Sequence, residues 1–371
     1  MRILFITPWY PDDARPNHGI FIRELAVALV KEGNQVVVIS TKVDYGSFNF
    51  FSQSVDITVS EGVEEHRLVM QRSIPIVNQG LYLRSSLRYA RKIAESFRPD
   101  VVHGMIGYPG AVLAVSVARA IGCRSVVTEH TRITNNFRSW PQKFLTVNAL
   151  KQANRVTTVS RFMADEIQGL IGRPITIVPN FIDPKRYKVK STEKGKHGVN
   201  IGFLGGLDTD VKGLDVLLKA LANCDFDYVL HIGGEGKLRL NYEQLATDLG
   251  VKGCCRFYGL VLHAEVPEFL ASLDFFVCSS RFESFGLVGL EALASGVPVV
   301  ATRCGGTQDF VSDQTGILVE PDNVNSLTLG LNQMHQRFRE FEPNDLRQLV
   351  IERFGKSANV AEWQRLYSSV E

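Results

Sequence analysis

The sequence predicts an α/β chain built from two doubly wound, Rossmann-like domains facing a central cleft. Three observations lead there. Its 371 residues, 45% apolar and 22% charged, exceed what one hydrophobic core usually holds. Short β-type runs alternate with helical patterns from the first residue onward. The alternation breaks at a lysine-rich stretch near the middle and then begins again.

In the first half, residues 3–6 read as a buried strand, 21–31 as a helix closed by Gly33, and 36–39 as the next strand, a βαβ unit. Residues 55–59 read as a further strand and 81–97 as an amphipathic helix. Residues 101–104, 125–128 and 155–160 are short β-type runs that each lead into a loop or helix. Near the other end of the chain, Val360, Trp363, Leu366 and Tyr367 recur at helical spacing. The first domain is therefore expected to span 1–183, with a last helix over about 352–371 crossing back onto it.

Residues 184–197 carry Pro184, Lys185, Arg186, Lys188, Lys190, Lys194 and Lys196 with little periodicity, and read as a linker. The second domain, 198–351, restarts with strand 200–204, helix 214–221, strand 228–232, helix 240–249 and strand 255–258. Helix 266–273, strand 275–278, helix 287–295 and strand 297–301 follow, again the pattern of an open parallel sheet.

The formal charge of +2 conceals an asymmetry. Residues 1–190 carry 25 Lys and Arg against 15 Asp and Glu, whereas 191–371 carry 16 against 24. A first half at +10 suits an anionic partner such as phospholipid head groups or a phosphorylated carrier, and is equally the charge of a solvated surface. Six cysteines, none in a CxxC spacing, read as small buried hydrophobes in a reducing compartment. The opening apolar run of four residues is a strand and not an export signal. No stretch approaches the roughly 20 apolar residues that cross a bilayer, so the expected location is cytoplasmic with at most peripheral membrane contact.

Two loops after first strands carry glycine to the next helix. The first runs from Thr7 to Gly19, where amides and a helix N-terminus suit a diphosphate, although a plain turn explains the glycine as well. It lacks GxGxxG, which argues against NAD. The second, residues 203–213, reads FLGGLDTDVKG, with Gly206 in the loop and Lys212 at the helix entrance as a point charge for phosphate. The order GxxxxGK[ST] is absent, which removes the main support for a kinase or ATPase. Asp208 and Asp210 form a DxD that could hold Mg²⁺ beside phosphates, although solvated loop carboxylates are the favoured reading.

The most informative text is residues 279–301, SSRFESFGLVGLEALASGVPVVA. It joins a strand end to a helix through a glycine turn, so the amides around Phe285, Gly286, Leu287 and Val288 are placed for phosphate. Glu283 and Glu291 flank that turn. Glu291 lies among Leu287, Leu290 and Leu293, where its carboxylate would accept hydrogen bonds from hydroxyls such as those of a ribose. His103 and His130 each follow a β-type run at the carboxyl end of the first sheet.

These strings resemble the retaining family 4 glycosyltransferases, of GT-B fold, over essentially the whole chain. The resemblance implies that Glu291 holds the donor ribose, that Glu283 contacts the donor sugar, and that the 286–288 amides and Lys212 bind the diphosphate. It matches His130 to a first-domain histidine beside the donor sugar and leaves His103 as an acceptor-side neighbour. The chain departs from the family at Gly205-Gly206-Leu207, where an arginine is usual; Arg281, Arg161 and Arg256 are the candidate replacement cations.

The implied reaction moves a hexose-type sugar from a nucleotide-diphosphate sugar to a hydroxyl of an envelope or lipid-linked glycan, without a metal and with the anomeric configuration retained by same-face attack. Domain closure would exclude water. Arg84, Arg88, Arg91, Lys92 and Arg98, with the aromatic-basic group Arg138, Trp140, Lys143 and Phe144, suit an anionic membrane. Nucleic acid is not an expected partner, since no matching signature accompanies the charge. A GT-B sugar-nucleotide epimerase or hydrolase and a non-catalytic sugar-nucleotide sensor are the alternatives.

Overall fold

A computed structural model describes residues 1–44, 52–71, 78–132, 139–189 and 198–369. The chain forms two compact units. The first comprises residues 1–159, 163–178 and 360–371, and the second 160–162 and 179–359. The chain enters the second unit briefly at 160–162 and then from residue 179 onward, and the last helix, Lys356–Ser369, begins in the second unit and ends in the first. Most of the stretch read as a linker, residues 190–197, lies outside the described residues.

The first unit is built on eight strands: β1 (Arg2–Thr7), β2 (Gln35–Asp44), β3 (Ser52–Ser60), β4 (Val63–Gln71), β5 (Val101–Met105), β6 (Arg124–Glu129), β7 (Arg155–Thr158) and β8 (Thr176–Ile177). They lie in the order β3-β4-β2-β1-β5-β6-β7-β8. Every pair is parallel except the β3–β4 hairpin. Apolar runs at β1, β2 and β5 are buried on both faces, as a central parallel strand requires. On one face Leu4, Ile6, Val37 and Ile39 pack with Ala90 and Ala94 of helix Asn78–Phe97 and with Leu113 and Val117 of helix Val112–Ile121.

Strand β4 is absent from the sequence reading, because Glu64, Glu65 and His66 interrupt its apolar pattern. The fold nevertheless buries Glu65 and His66. Glu65 accepts from the Tyr10 hydroxyl at 2.9 Å and from Arg67 at 3.1 Å, and His66 Nδ1 stands 2.6 Å from the Tyr89 hydroxyl.

The last helix buries Val360, Trp363, Leu366 and Tyr367 in the first unit. There the Tyr367 hydroxyl lies 2.8 Å from His103 Nδ1, whose Nε2 is 2.6 Å from Thr128 Oγ1.

The second unit holds a six-stranded, all-parallel sheet: β9 (Val199–Leu204), β10 (Tyr228–Gly233), β11 (Cys255–Gly259), β12 (Phe275–Cys278), β13 (Val299–Thr302) and β14 (Gly316–Val319). Their order is β11-β10-β9-β12-β13-β14. This is the doubly wound order 3-2-1-4-5-6, whose winding reverses between β9 and β12. Ligands of such sheets bind outside the carboxyl ends of the strands at that reversal.

Candidate active site

The loops leaving β9 and β12 stand side by side at the reversal, and each contributes one charged group. Lys212 follows β9, in a short turn ended by Gly213 at φ +65°. Glu283 follows β12. Lys212 Nζ donates to Glu283 Oε1 at 2.5 Å, and Ser280 Oγ donates to the same oxygen at 2.8 Å. Burial by itself would lower the Lys212 pKa; the Glu283 charge and hydrogen bond overcome it and raise the pKa above the usual lysine value. A cation is thereby held at the phosphate position of a doubly wound domain.

Glycines let these loops close on one another. A Cβ on Gly213 would lie 2.1 Å from the Ser279 carbonyl oxygen, and one on Gly205 would meet the Lys212 stem at 3.1 Å. The loop after β10 packs against the same turn: Leu207 N donates to the Glu235 carbonyl at 2.8 Å and Leu238 N to the Leu207 carbonyl at 2.9 Å. Gly206 is exposed in this loop. Glu283 is stapled from the other side, its amide donating to Cys304 O at 3.2 Å and its carbonyl accepting from Gly306 N at 2.9 Å. The sequence reading missed the Gly234–Gly236 and Gly305-Gly306 supports. Their signal is a glycine pair or triplet directly after a β-type run.

Gly286, at φ +87°, opens helix Leu287–Ala294, leaving the amides of Leu287 and Val288 without an intrahelical acceptor. The Phe285 side chain is core, within 6 Å of the Phe310 and Phe354 rings, so only its backbone is available to a ligand. One helical turn further, Glu291 is 4% exposed and its Oε1 accepts from the Tyr187 hydroxyl at 2.7 Å. Tyr187 also escaped the sequence reading, since 104 residues separate the two.

Two expectations are corrected. Arg281 is not a free cation for a diphosphate: it pairs with both oxygens of Asp215 at 2.9 Å and with Asp322 at 2.8 Å, and donates to the Asp210 carbonyl. Those bonds, the Asp215 hydrogen bond foremost, push its pKa further up. Of the other candidates, Arg256 projects from edge strand β11, whereas the Arg161 side chain is 81% exposed with a 3.9 Å ion pair to Asp309, and the next residue, Phe162, lies tilted against Phe282 beside Glu283. His103 likewise presents no accessible surface to an acceptor. Both its nitrogens are engaged within the first unit, and burial brings its pKa down to about 3.

His130 lies at the carboxyl end of β6, packed on Phe21 with ring centroids 4.6 Å apart. Its Nε2 is buried without a hydrogen-bond partner, and burial lowers its pKa to about 3, so the ring is neutral at pH 7. The loop is held by Glu129, whose carboxylate accepts from the amides of Gly107, His130 and Thr131. Gly19 adopts φ +72°, and a Cβ there would lie 2.7 Å from the Trp9 carbonyl, so close backbone approach requires glycine.

Two doubly wound domains on one chain, the second with a lysine–glutamate pair at its switch point, are the GT-B architecture. Residues 198–337 match the family model described as Glycosyl transferases group 1, and residues 18–186 match Glycosyltransferase Family 4. The chain belongs to this family 4 and group 1 class. It is 28% identical over 362 residues to a glycogen synthase of Mycobacterium tuberculosis, covering 90% of this chain and 86% of that one. Over 155 residues it is 37% identical to the lipopolysaccharide core biosynthesis glycosyltransferase LpsE of Rhizobium meliloti, 42% of this chain and 43% of the other. The structure of Anabaena HepE in complex with UDP-glucose superposes with a TM-score of 0.78 at 18% identity, covering all of both chains.

Proposed function

We propose that this glycosyltransferase moves a hexose from a nucleotide-diphosphate sugar to a hydroxyl of an envelope or lipid-linked glycan, with retention at the anomeric carbon. The observation that carries the donor half is the Lys212–Glu283 pair at the β9/β12 switch point, beside the open amides of Leu287 and Val288. As the bond from sugar C1 to the diphosphate breaks, negative charge grows on the leaving oxygen. Lys212 and those amides are preorganised to accept it. The buried Glu291 carboxylate, oriented by Tyr187, receives the ribose hydroxyls. Glu283 and the neutral His130 take the sugar contacts implied by the resemblance, and Arg161 is the replacement cation.

Same-face attack gives retention if the acceptor hydroxyl passes its proton to the departing phosphate oxygen while its own oxygen bonds to C1. The LpsE relative and the basic first half favour an envelope acceptor. On that half Arg84, Arg88 and Lys92 share one helix face, and Trp140 and Phe144 are exposed and stacked at 5.5 Å. Arg138 lies outside the described residues. Among the described residues no helix is long and apolar enough to cross a membrane.

Calorimetric titration with UDP, GDP and ADP, repeated on Glu291→Ala, tests the donor site. Selective binding of one nucleoside diphosphate, lost in the variant, supports it and names the base; absence of binding rejects it. An inverted product anomer, read from proton coupling constants, rejects retention.

A further inference from the structure

The first unit contains a recess at the carboxyl ends of β1, β2 and β4 that the donor machinery does not use. Its cavity volume is about 90 Å3, and it is partly open to solvent. Tyr10, Asp12 and Arg15 line it from the loop after β1, Lys42 from the end of β2 and Arg67 from β4. Ser40 is the parallel partner of Arg67, and Lys42 lies two residues beyond Ser40, so both cations project from the same face of the sheet.

Three cations line the recess, and two of them share one carboxylate. Asp12 Oδ2 is shared between Lys42, at 2.9 Å, and Arg15, at 3.1 Å. Burial pushes the Asp12 pKa up, but these two hydrogen bonds overcome it and hold it near 2. Arg67 gives one donor to Glu65 beneath the recess, at 3.1 Å, yet its Nε–H is buried with no hydrogen-bond partner. Asp12 Oδ1 is buried and unpartnered as well. An unmade bond from a buried charged donor is a desolvation cost that a bound anion would recover.

We infer that this recess binds a phosphate ester carried by the acceptor, and that Asp12 stands in for that phosphate in the unliganded chain. The inference rests on the reading of the chain as a transferase to an envelope or lipid-linked acceptor. Two guanidinium groups and an ammonium around one small space match the oxygens of a phosphate dianion. A neutral sugar would bring these cations no anionic partner beyond Asp12 and Glu65, which they already share. Residues between Pro8 and Arg15 of the loop after β1 form one wall, which places the phosphate on the carboxyl-end side where the acceptor of the first unit is expected.

The test uses the full chain saturated with the nucleoside diphosphate that binds it, so that the donor phosphate position is filled. Glycerol 3-phosphate is titrated calorimetrically, with glucuronate as the carboxylate control. Vesicles of phosphatidylcholine with and without phosphatidic acid are floated in parallel. The ester is expected to bind in preference to glucuronate, and the Arg15→Gln/Lys42→Gln variant to weaken it by about tenfold or more. Asp12→Asn is expected to tighten ester binding several-fold, because it frees two cations; a merely structural ion cluster would lower the melting temperature without that gain.

Ester binding alone assigns a soluble phosphate source, and additional vesicle capture lost in the double variant assigns a lipid headgroup. Ester binding unchanged in both variants, preference for glucuronate, or no binding of either probe overturns the inference. Failure of the nucleoside diphosphate to bind is read before the ester is added, and counts against the donor site instead.

Discussion

Lys212 Nζ and Glu283 Oε1 lie 2.5 Å apart, on loops that leave adjacent strands β9 and β12 on the two sides of the winding reversal. The pair does two things. Glu283 keeps the lysine charged and fixed in a partly buried place, and the lysine keeps the glutamate side chain turned toward the Ser280 hydroxyl. A point charge so held is worth most in the transition state, when the leaving diphosphate gains charge.

Removing the Lys212 charge should therefore act on the chemical step. Lys212→Ala is expected to lower kcat by about 10²–10³, as loss of one oxyanion donor does elsewhere. Steady-state kinetics on the wild type and the variant decide it: an unchanged kcat with a raised KM would assign Lys212 to ground-state binding alone.

The same pair predicts a pH signature. Lys212 has a raised pKa in the folded chain, so its contribution to stability is fully present below the unfolded lysine value of about 10.4 and is lost as pH rises through the folded value. Melting temperatures of the wild type and Glu283→Gln should differ at pH 8 and converge as the pH rises through the raised folded value of Lys212. A gap that stays constant across that range would separate the two groups energetically.

Glu291→Gln preserves the side-chain shape and leaves the Tyr187 hydroxyl an acceptor, so the fold should hold. Loss of a charge-assisted hydrogen bond is about 1.5–3 kcal/mol, or roughly a 10- to 150-fold fall in nucleoside diphosphate affinity. Calorimetry measures this directly. Tyr187→Phe should produce a smaller fall, through loss of orientation; affinity unchanged in both variants would remove the ribose role.

Gly213→Ala forces a Cβ to within 2.1 Å of the Ser279 carbonyl at φ +65°. A left-handed conformation alone costs about 1–2 kcal/mol, and the clash must also shift the turn that carries Lys212. The variant should melt lower and bind the nucleoside diphosphate less tightly. Gly253→Ala, where an added Cβ meets nothing within 4 Å, is the control and should stay within about 0.5 kcal/mol of the wild type.

His103 and His130 are buried neutral, each with a pKa brought down to about 3. Their folded values lie below the unfolded value of about 6.5, so the stability they contribute is present above pH 6.5 and declines as pH falls from there toward 3. His103→Gln should flatten that acid limb in a melting series from pH 7 to pH 4. A limb of unchanged steepness would assign the acid sensitivity to other groups.

Local patterning made much of this chain legible. Helix Leu214–Leu221 and strand Phe275–Cys278 coincide with the sequence reading, because each carries an uninterrupted periodicity bounded by turn residues. The text from Ser279 to Ala301, with its glycine turn, was enough to place both glutamates around one helix start. Strand β4 was not legible: its Glu65 is buried only because Tyr10 and Arg23 arrive from other elements to meet it beside Arg67 of the same strand.

The amino-acid sequence by itself determined the alternating α/β elements, the restart in mid-chain and the glycine-bounded loops, since periodicity and turn chemistry act over a few residues. The tertiary structure alone decided which charges are free. Arg281 is neutralised by Asp215, 66 residues away, and His103 is sealed by Tyr367, 264 residues away. Strand order brings such partners together, and the energy of a charge or a buried imidazole depends on what stands within a few ångströms of it in space, not on its neighbours along the chain.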